Sequence, residues 1–323
     1  MATFAGTFTT SARILMREAL HNLEPEEQQI VQNLAQKINL EDPIAIMQYG
    51  SAIQNKIAQI SDSVLQSVRT NQMSRADKSL SDLVMEIKSF VAIVTKERKG
   101  LLGKPDNSKR RTEKILANYP KVEANINKIQ TELEAHQRQL IKDIHKLNLL
   151  YDKNQVYFKE LTMFIIAGEE RFAKFCNQEV AVQRQKVEST GDEPETQKLN
   201  NMLQLANRFE KKLHDLKLSR TVSMQMAPQI RLLQNNDGIL LEKIQSSIVS
   251  SIPLWKNQMI LAIGSANSHV ALATQNQVVD VAKCNNSLIT TINEVLQLHE
   301  RGRQDRTQAE TELLVLKSKG EAI

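Results

Sequence analysis

Apolar and aromatic residues recur at steps of three and four along one stretch of this chain. They are Val122, Ile126, Ile129 and Leu133, then Leu140, Ile144, Leu147, Tyr151, Phe158, Leu161 and Ile165, with His136, Gln137 and Asn154 in the gaps. An α-helix brings residues three and four apart onto one face, so this spacing is a single seam on one very long helix. Opened by Pro120 and continued to about Val187, such a helix is roughly 100 Å long at 1.5 Å per residue.

Ser189-Thr190-Gly191-Asp192-Glu193-Pro194 then supplies strong turn chemistry. The seam resumes at Leu199, Met202, Ala206, Phe209, Leu213 and Leu216 and continues through Met224, Ile230, Leu233 and Ile244. Pro228 and Pro253 each remove a backbone donor and are expected to kink this second helix. Two long helices joined by a short turn fold back antiparallel, which puts position n opposite roughly 383 − n. Residues 133–144 then face about 239–250, a level at which His136, Arg138 and Asp143 approach Glu242, Lys243, Gln245 and Ser247 as a facing polar layer. A last helical segment, Val278 to about Lys317, carries Val281, Leu288, Ile292, Val295 and Leu298 before a charged stretch from Arg301. No strand-like alternation of useful length is present. With 41% apolar but only 4% aromatic residues, ten Gly and seven Pro, the expected class is all-α. The expected architecture is an elongated antiparallel long-helix hairpin or bundle, with a small helical N-terminal unit.

That N-terminal unit has its own signals. Glu24-Pro25-Glu26-Glu27 has the composition of a helix start, and Asp42-Pro43 opens a second helix with Ile44, Met47, Ile53, Ile57, Ile60, Val64 and Val68 on its apolar side. A third runs from Leu80 to Val94. The expected division is a flexible 1–22, a helical unit 23–98, a basic linker 99–118, a long hairpin 119–275 and a C-terminal helix 276–323.

The net charge is +5, and eight Lys or Arg against three acids between Lys96 and Lys114 account for an equal excess. The remainder is near neutral, so no nucleic-acid partner is expected. The basic stretch 99–114 is either a solvated linker or a peripheral contact with anionic lipid. Cys176 and Cys284 make no disulfide framework and fit a reducing compartment. The first twenty residues lack the basic and apolar regions of a signal peptide, and no apolar run reaches the roughly twenty residues of a membrane span. A cytoplasmic protein is expected, in part at the inner membrane face if 99–114 touches lipid. No GxxxxGK[ST], GxGxxG or GxSxG occurs, and the six histidines form no HExxH. No enzyme, cofactor or metal is expected.

The polar outlier is Ser219 to Met259. Gln225, Gln229, Gln234, Asn235, Asn236, Asp237 and Gln245 crowd a helical pattern that also holds the only Trp, Trp255. Groups at that density are solvated, paired with one another, or presented to something. One reading is interhelical hydrogen bonding that fixes register. The other is a partner or anion-binding surface built from Arg231, Gln234, Asn235, Asn236, Asp237, Lys243, Gln245, Trp255 and Lys256, with Arg231 supplying charge and the amides supplying donors. Trp255 beside Pro253 is either a packed anchor or a partner hot spot. Self-association along an uncovered seam is a further expectation.

MAPQIRLLQNND (226–237), EKIQSSIVSSIPLWKNQM (242–259), QYGSAIQNKIAQISDSVL (48–65), LEAHQRQLIKDI (133–144) and YFKEL (157–161) together resemble the toxic-anion-resistance family of TelA-like or KlaA-like proteins. The blocks lie in the expected order, and IPLWKNQM and QIRLLQNND are too irregular to be generic heptads. The resemblance implies a bacterial, cytoplasmic, mainly helical protein associated with tellurite resistance and envelope stress. It implies protein partners in such a system, and it brings no catalytic residue set. The chain departs from the family pattern in the short stretch Ala273 to Gln277, which leads almost directly into the C-terminal helix.

Overall fold

A computed structural model describes residues 23–69, 108–267 and 274–321, with isolated helical positions at 78, 81, 82, 84, 85 and 88. Every regular element among them is helical, and the all-α class holds. In chain order these are α1 (Pro25–Lys37), α2 (Pro43–Gln48), α3 (Ser51–Arg69), α4 (Ser108–Lys174), α5 (Ala181–Thr190), α6 (Glu193–Ser246), α7 (Ile252–Asn267) and α8 (Thr274–Glu321). Among the described residues no helix is long and apolar enough to cross a membrane. The expected flexible 1–22 and the first part of the expected linker, 99–107, lie outside the described residues.

The sequence signals at the helix ends act as expected. Pro25 starts α1 where a missing N–H is harmless, and the Glu24 amide donates to the Glu27 carboxylate at 3.2 Å. Asp42 caps α2 by accepting from the Ile44 amide at 2.8 Å. Gly191 closes α5 with φ of +67°, its amide donating to the Val187 carbonyl at 2.9 Å, and Glu193 and Glu195 sit at the dipole-positive start of α6.

Two expectations change. Residues 108–118, read as linker, are the first turns of α4, and Pro120 lies inside that helix instead of opening it. Pro120 is exposed, and its ring leaves the carbonyl four residues earlier without the usual helical amide donor. Pro228 is likewise enclosed within α6 on an exposed position. Pro253 sits in the first turn of α7, just after a π-helical turn, Ser247–Ser251, that joins α6 to α7. A second π-helical turn, Phe175–Val180, joins α4 to α5.

The chain gathers into two compact units, each drawing on both long helices. The first comprises residues 23–65, 149–230 and the end of α8 from 311. Inside it, Val31 and Ala35 of α1 pack on Ile166 and Ala167 of α4. Tyr49 donates to the Phe164 carbonyl at 2.6 Å, with its ring 5.4 Å from those of Phe164 and Phe209. Gly168 admits this approach, since a Cβ there would lie 2.5 Å from Leu213 Cδ2 and 3.1 Å from Tyr49 Cε1. Asn154, which interrupts the long seam, exchanges two 2.9 Å hydrogen bonds with Ser223, one to its carbonyl and one from its hydroxyl. Both residues are buried, so a polar gap in the seam is closed by a matching gap on α6.

The second unit comprises the described parts of 66–148 and 231–310. Its core joins Val122, Ile126, Ile129 and Leu133 of α4 to Leu240 and Ile244 of α6 and to Ile252, Trp255 and Met259. Here α4 and α6 run antiparallel: Gln137 pairs with Gln245, Asn148 with Gln234, and Asn127 with Lys256.

Candidate functional site

The polar run on α6 divides by helical position. Within the second unit, Arg231, Leu232, Asn235, Ile239 and Glu242 are exposed, whereas Leu233, Gln234, Asp237, Leu240 and Ile244 are buried. Asn236 and Lys243 lie at the margin. A 100° step per residue produces this sorting without any special device.

Each inward or marginal polar group has a partner on another helix. Gln234 is 7% exposed; it donates to Asn148 Oδ1 at 2.9 Å and accepts from Arg231 Nη1 at 3.0 Å. The Asn236 amide donates to Asp305 Oδ2 on α8 at 3.1 Å, and the Lys243 ammonium meets Glu294 Oε2 at 3.2 Å. Lys256 donates to Asn127 Oδ1 at 2.7 Å and Gln130 Oε1 at 3.3 Å. Gln245 accepts from Gln137.

The deepest pair is Asp237 with Arg306 of α8, whose side chains are 1% and 12% exposed. Arg306 also donates to the Ser67 carbonyl at 3.2 Å. Asp237 Oδ2 and Arg306 Nε, both buried, have no hydrogen-bond partner among the described residues. Burial holds the Asp237 carboxyl above its ordinary value; Arg306 pulls it down and the Asp143 charge pushes it further up.

Trp255 is fully buried and stacks on Tyr119 with 6.4 Å between ring centroids. It is placed as a packed anchor and cannot meet a partner unless the core opens. In the facing segment, the direct contact to Gln245 comes from Gln137. His136 is half-buried on α4, Arg138 is exposed, and Asp143 accepts from Gln139 at 3.0 Å.

Sequence reasoning found α8 as a C-terminal helix but did not assign it to this site. Glu294, Asp305 and Arg306 complete the α6 polar run in the second unit, and in the first unit Gln229 donates to Glu312. A usable signal was present: Asp237 falls between Leu233 and Leu240 on the buried side, and a buried carboxylate requires a cation, which the charged stretch after Arg301 could supply.

A family model described as toxic anion resistance protein (TelA) matches residues 31–282, which include the whole 219–259 block. TelA-like proteins of Staphylococcus aureus strains bovine RF122 / ET3-1, Mu50 and USA300 are each 31% identical to this chain, over 89% of it and 85% of the relative. No solved structure matches it. The chain belongs to the toxic anion resistance (TelA) family.

Proposed function

We propose that this protein is a non-enzymatic, cytoplasmic helical scaffold of a toxic-anion resistance and envelope-stress system, acting by binding other proteins. The observation that carries the reading is the sorting of the polar run on α6 into two faces. Its inward amides and charges are engaged between helices, and its outward face presents Arg231, Leu232, Asn235, Ile239 and Glu242 at helical spacing. Leu232 and Ile239 are 37% and 44% exposed, and a mixed strip of this kind suits a protein partner.

The competing reading is an oxyanion binder centred on Arg231. It needs at least two cations converging on one point. Lys243 is engaged by Glu294, Lys256 by Asn127 and Gln130, and Arg306 by Asp237, which weighs toward the scaffold.

Tellurite tolerance in a host lacking the native copy separates the two readings. The scaffold predicts wild-type tolerance with Arg231→Gln, and loss of tolerance with Leu232→Glu combined with Ile239→Glu at an unchanged melting temperature. Loss with Arg231→Gln and tolerance retained by the double variant would favour the binder and overturn the scaffold.

A further inference from the structure

We propose that Lys212 is a modification site: its side-chain amine takes the acyl group of a small acyl phosphate, and the modification loosens the hold of α3 on α6. The site lies wholly within the first unit. Gly50, Ser51 and Gln54, at the start of α3, face Lys212, Leu216 and Ser219 on α6. Those α6 positions are three or four residues apart and so share one side of the helix.

The Lys212 ammonium donates to Gln54 Oε1 at 2.7 Å and to Ser51 Oγ at 3.0 Å. Both acceptors are neutral, and both groups are engaged elsewhere: Ser51 donates to the Met47 carbonyl at 3.0 Å and the Gln54 amide to Ser219 Oγ at 3.1 Å. Other lysines that reach between helices in this unit end on acids: Lys56 on Glu160, Lys159 on Glu27 and Lys217 on Glu169. Among the described residues no carboxylate lies within ion-pair distance of Lys212. Its cation is half-buried with no counter-charge in contact. Burial lowers the ammonium below its ordinary value, and the charge of Asp215 on the next turn of α6 offsets only part of that. A lysine amine desolvated in this way is disposed to lose its proton and act as a nucleophile.

An acyl phosphate suits this amine on two counts. It is small enough to approach a half-buried group, and its negative charge is drawn to a cation that no contacting acid neutralises. The ammonium first releases a proton to water. The neutral amine then attacks the acyl carbonyl, the bond from that carbon to the phosphate oxygen breaks, and phosphate leaves with the electron pair while the surplus proton on nitrogen passes to water. The product amide is uncharged and carries one N–H, so it keeps at most one of the two hydrogen bonds that α3 receives from Lys212. This inference stands apart from the scaffold reading, because a scaffold can bind its partners with or without acylation in the first unit.

The test treats the full chain with limiting acetyl phosphate in mildly alkaline buffer and follows each lysine by peptide mass spectrometry. Lys212 is expected to acetylate several-fold faster than Lys198 and Lys211, both of which are exposed. Gln54→Glu places a carboxylate against the ammonium at nearly unchanged size, and should bring the Lys212 rate down to theirs while leaving theirs as they were. Lys212 reacting no faster than Lys198 and Lys211 in the wild-type chain would overturn the proposal. So would a Lys212 rate indifferent to Gln54→Glu, since the lack of a counter-charge would then not be the cause. In protein acetylated at Lys212, the Ile53 and Gln54 amides, which donate to the Gly50 carbonyl at 3.1 Å, should exchange with deuterated water faster than in the untreated chain. Equal exchange would overturn the loosening of α3.

Discussion

Asp237 and Arg306 show how a single residue governs this fold. A carboxylate 1% exposed is tolerable only beside a cation, and Arg306 is the cation that reaches it. Arg306→Met leaves the charge stranded and is expected to destabilise the protein by about 3–5 kcal/mol at neutral pH, measured by urea denaturation. Pairing that change with Asp237→Leu removes both charges and is expected to recover most of the loss. The pH dependence has a definite sign. Burial raises the Asp237 carboxyl, so the folded chain takes up this proton before the unfolded chain does. Its contribution therefore favours the fold at low pH and is lost as pH rises through the folded value. Without Arg306 that folded value rises further, so the deficit of Arg306→Met should shrink as the solution is acidified from neutral. A deficit constant with pH would mean that the stranded carboxylate is not its cause. Asn154 and Ser223 form the neutral counterpart: a buried polar pair that satisfies itself with two reciprocal hydrogen bonds.

At the level of elements, two glycines with the same backbone conformation do different work. Gly50 precedes α3 with φ of +68° and a Cβ there would lie 2.7 Å from Leu216 Cδ2, whereas Gly191, with φ of +67°, has nothing within 4 Å of that position. Gly191→Ala should cost only the backbone strain, about 1–2 kcal/mol. Gly50→Ala should cost clearly more, because Leu216 is fully buried and must shift. Thermal melts of the two variants check the order. The elements were also the most legible part of the sequence. Spacing from Val122 to Ile165 read as helix, Gly191 as the turn, and the antiparallel register anticipated the pairing of 137 with 245 and of 127 with 256. The start of α4 was not legible, because Pro120 and the Gly- and Pro-containing basic stretch resemble a boundary, whereas the helix runs through Pro120 with one backbone hydrogen bond fewer. The docking of α8 was not legible either. Its partners on α6 lie 51 to 69 residues away along the chain, and periodicity reports which side of a helix is apolar without reporting what covers it. Among the site candidates, Trp255 and Gln234 could be read as either buried or presented, and only tertiary placement separates the two.

For the molecule as a whole, the two units share a construction rule. Apolar seams from long helices form the cores, and polar interruptions in those seams meet matched polar groups on a neighbouring helix. Asn154 with Ser223 does so in the first unit; Gln234 with Asn148 and Asp237 with Arg306 do so in the second. Family membership ties the chain to toxic-anion resistance in general terms. We propose that residues 219–259 serve that role through architecture and an outward face, without capturing the anion itself. Isothermal titration of the full chain with tellurite, against a phosphate control, tests this claim most directly. No saturable heat is expected with tellurite across the millimolar range. A saturable, tellurite-specific signal that disappears with Arg231→Gln would contradict it.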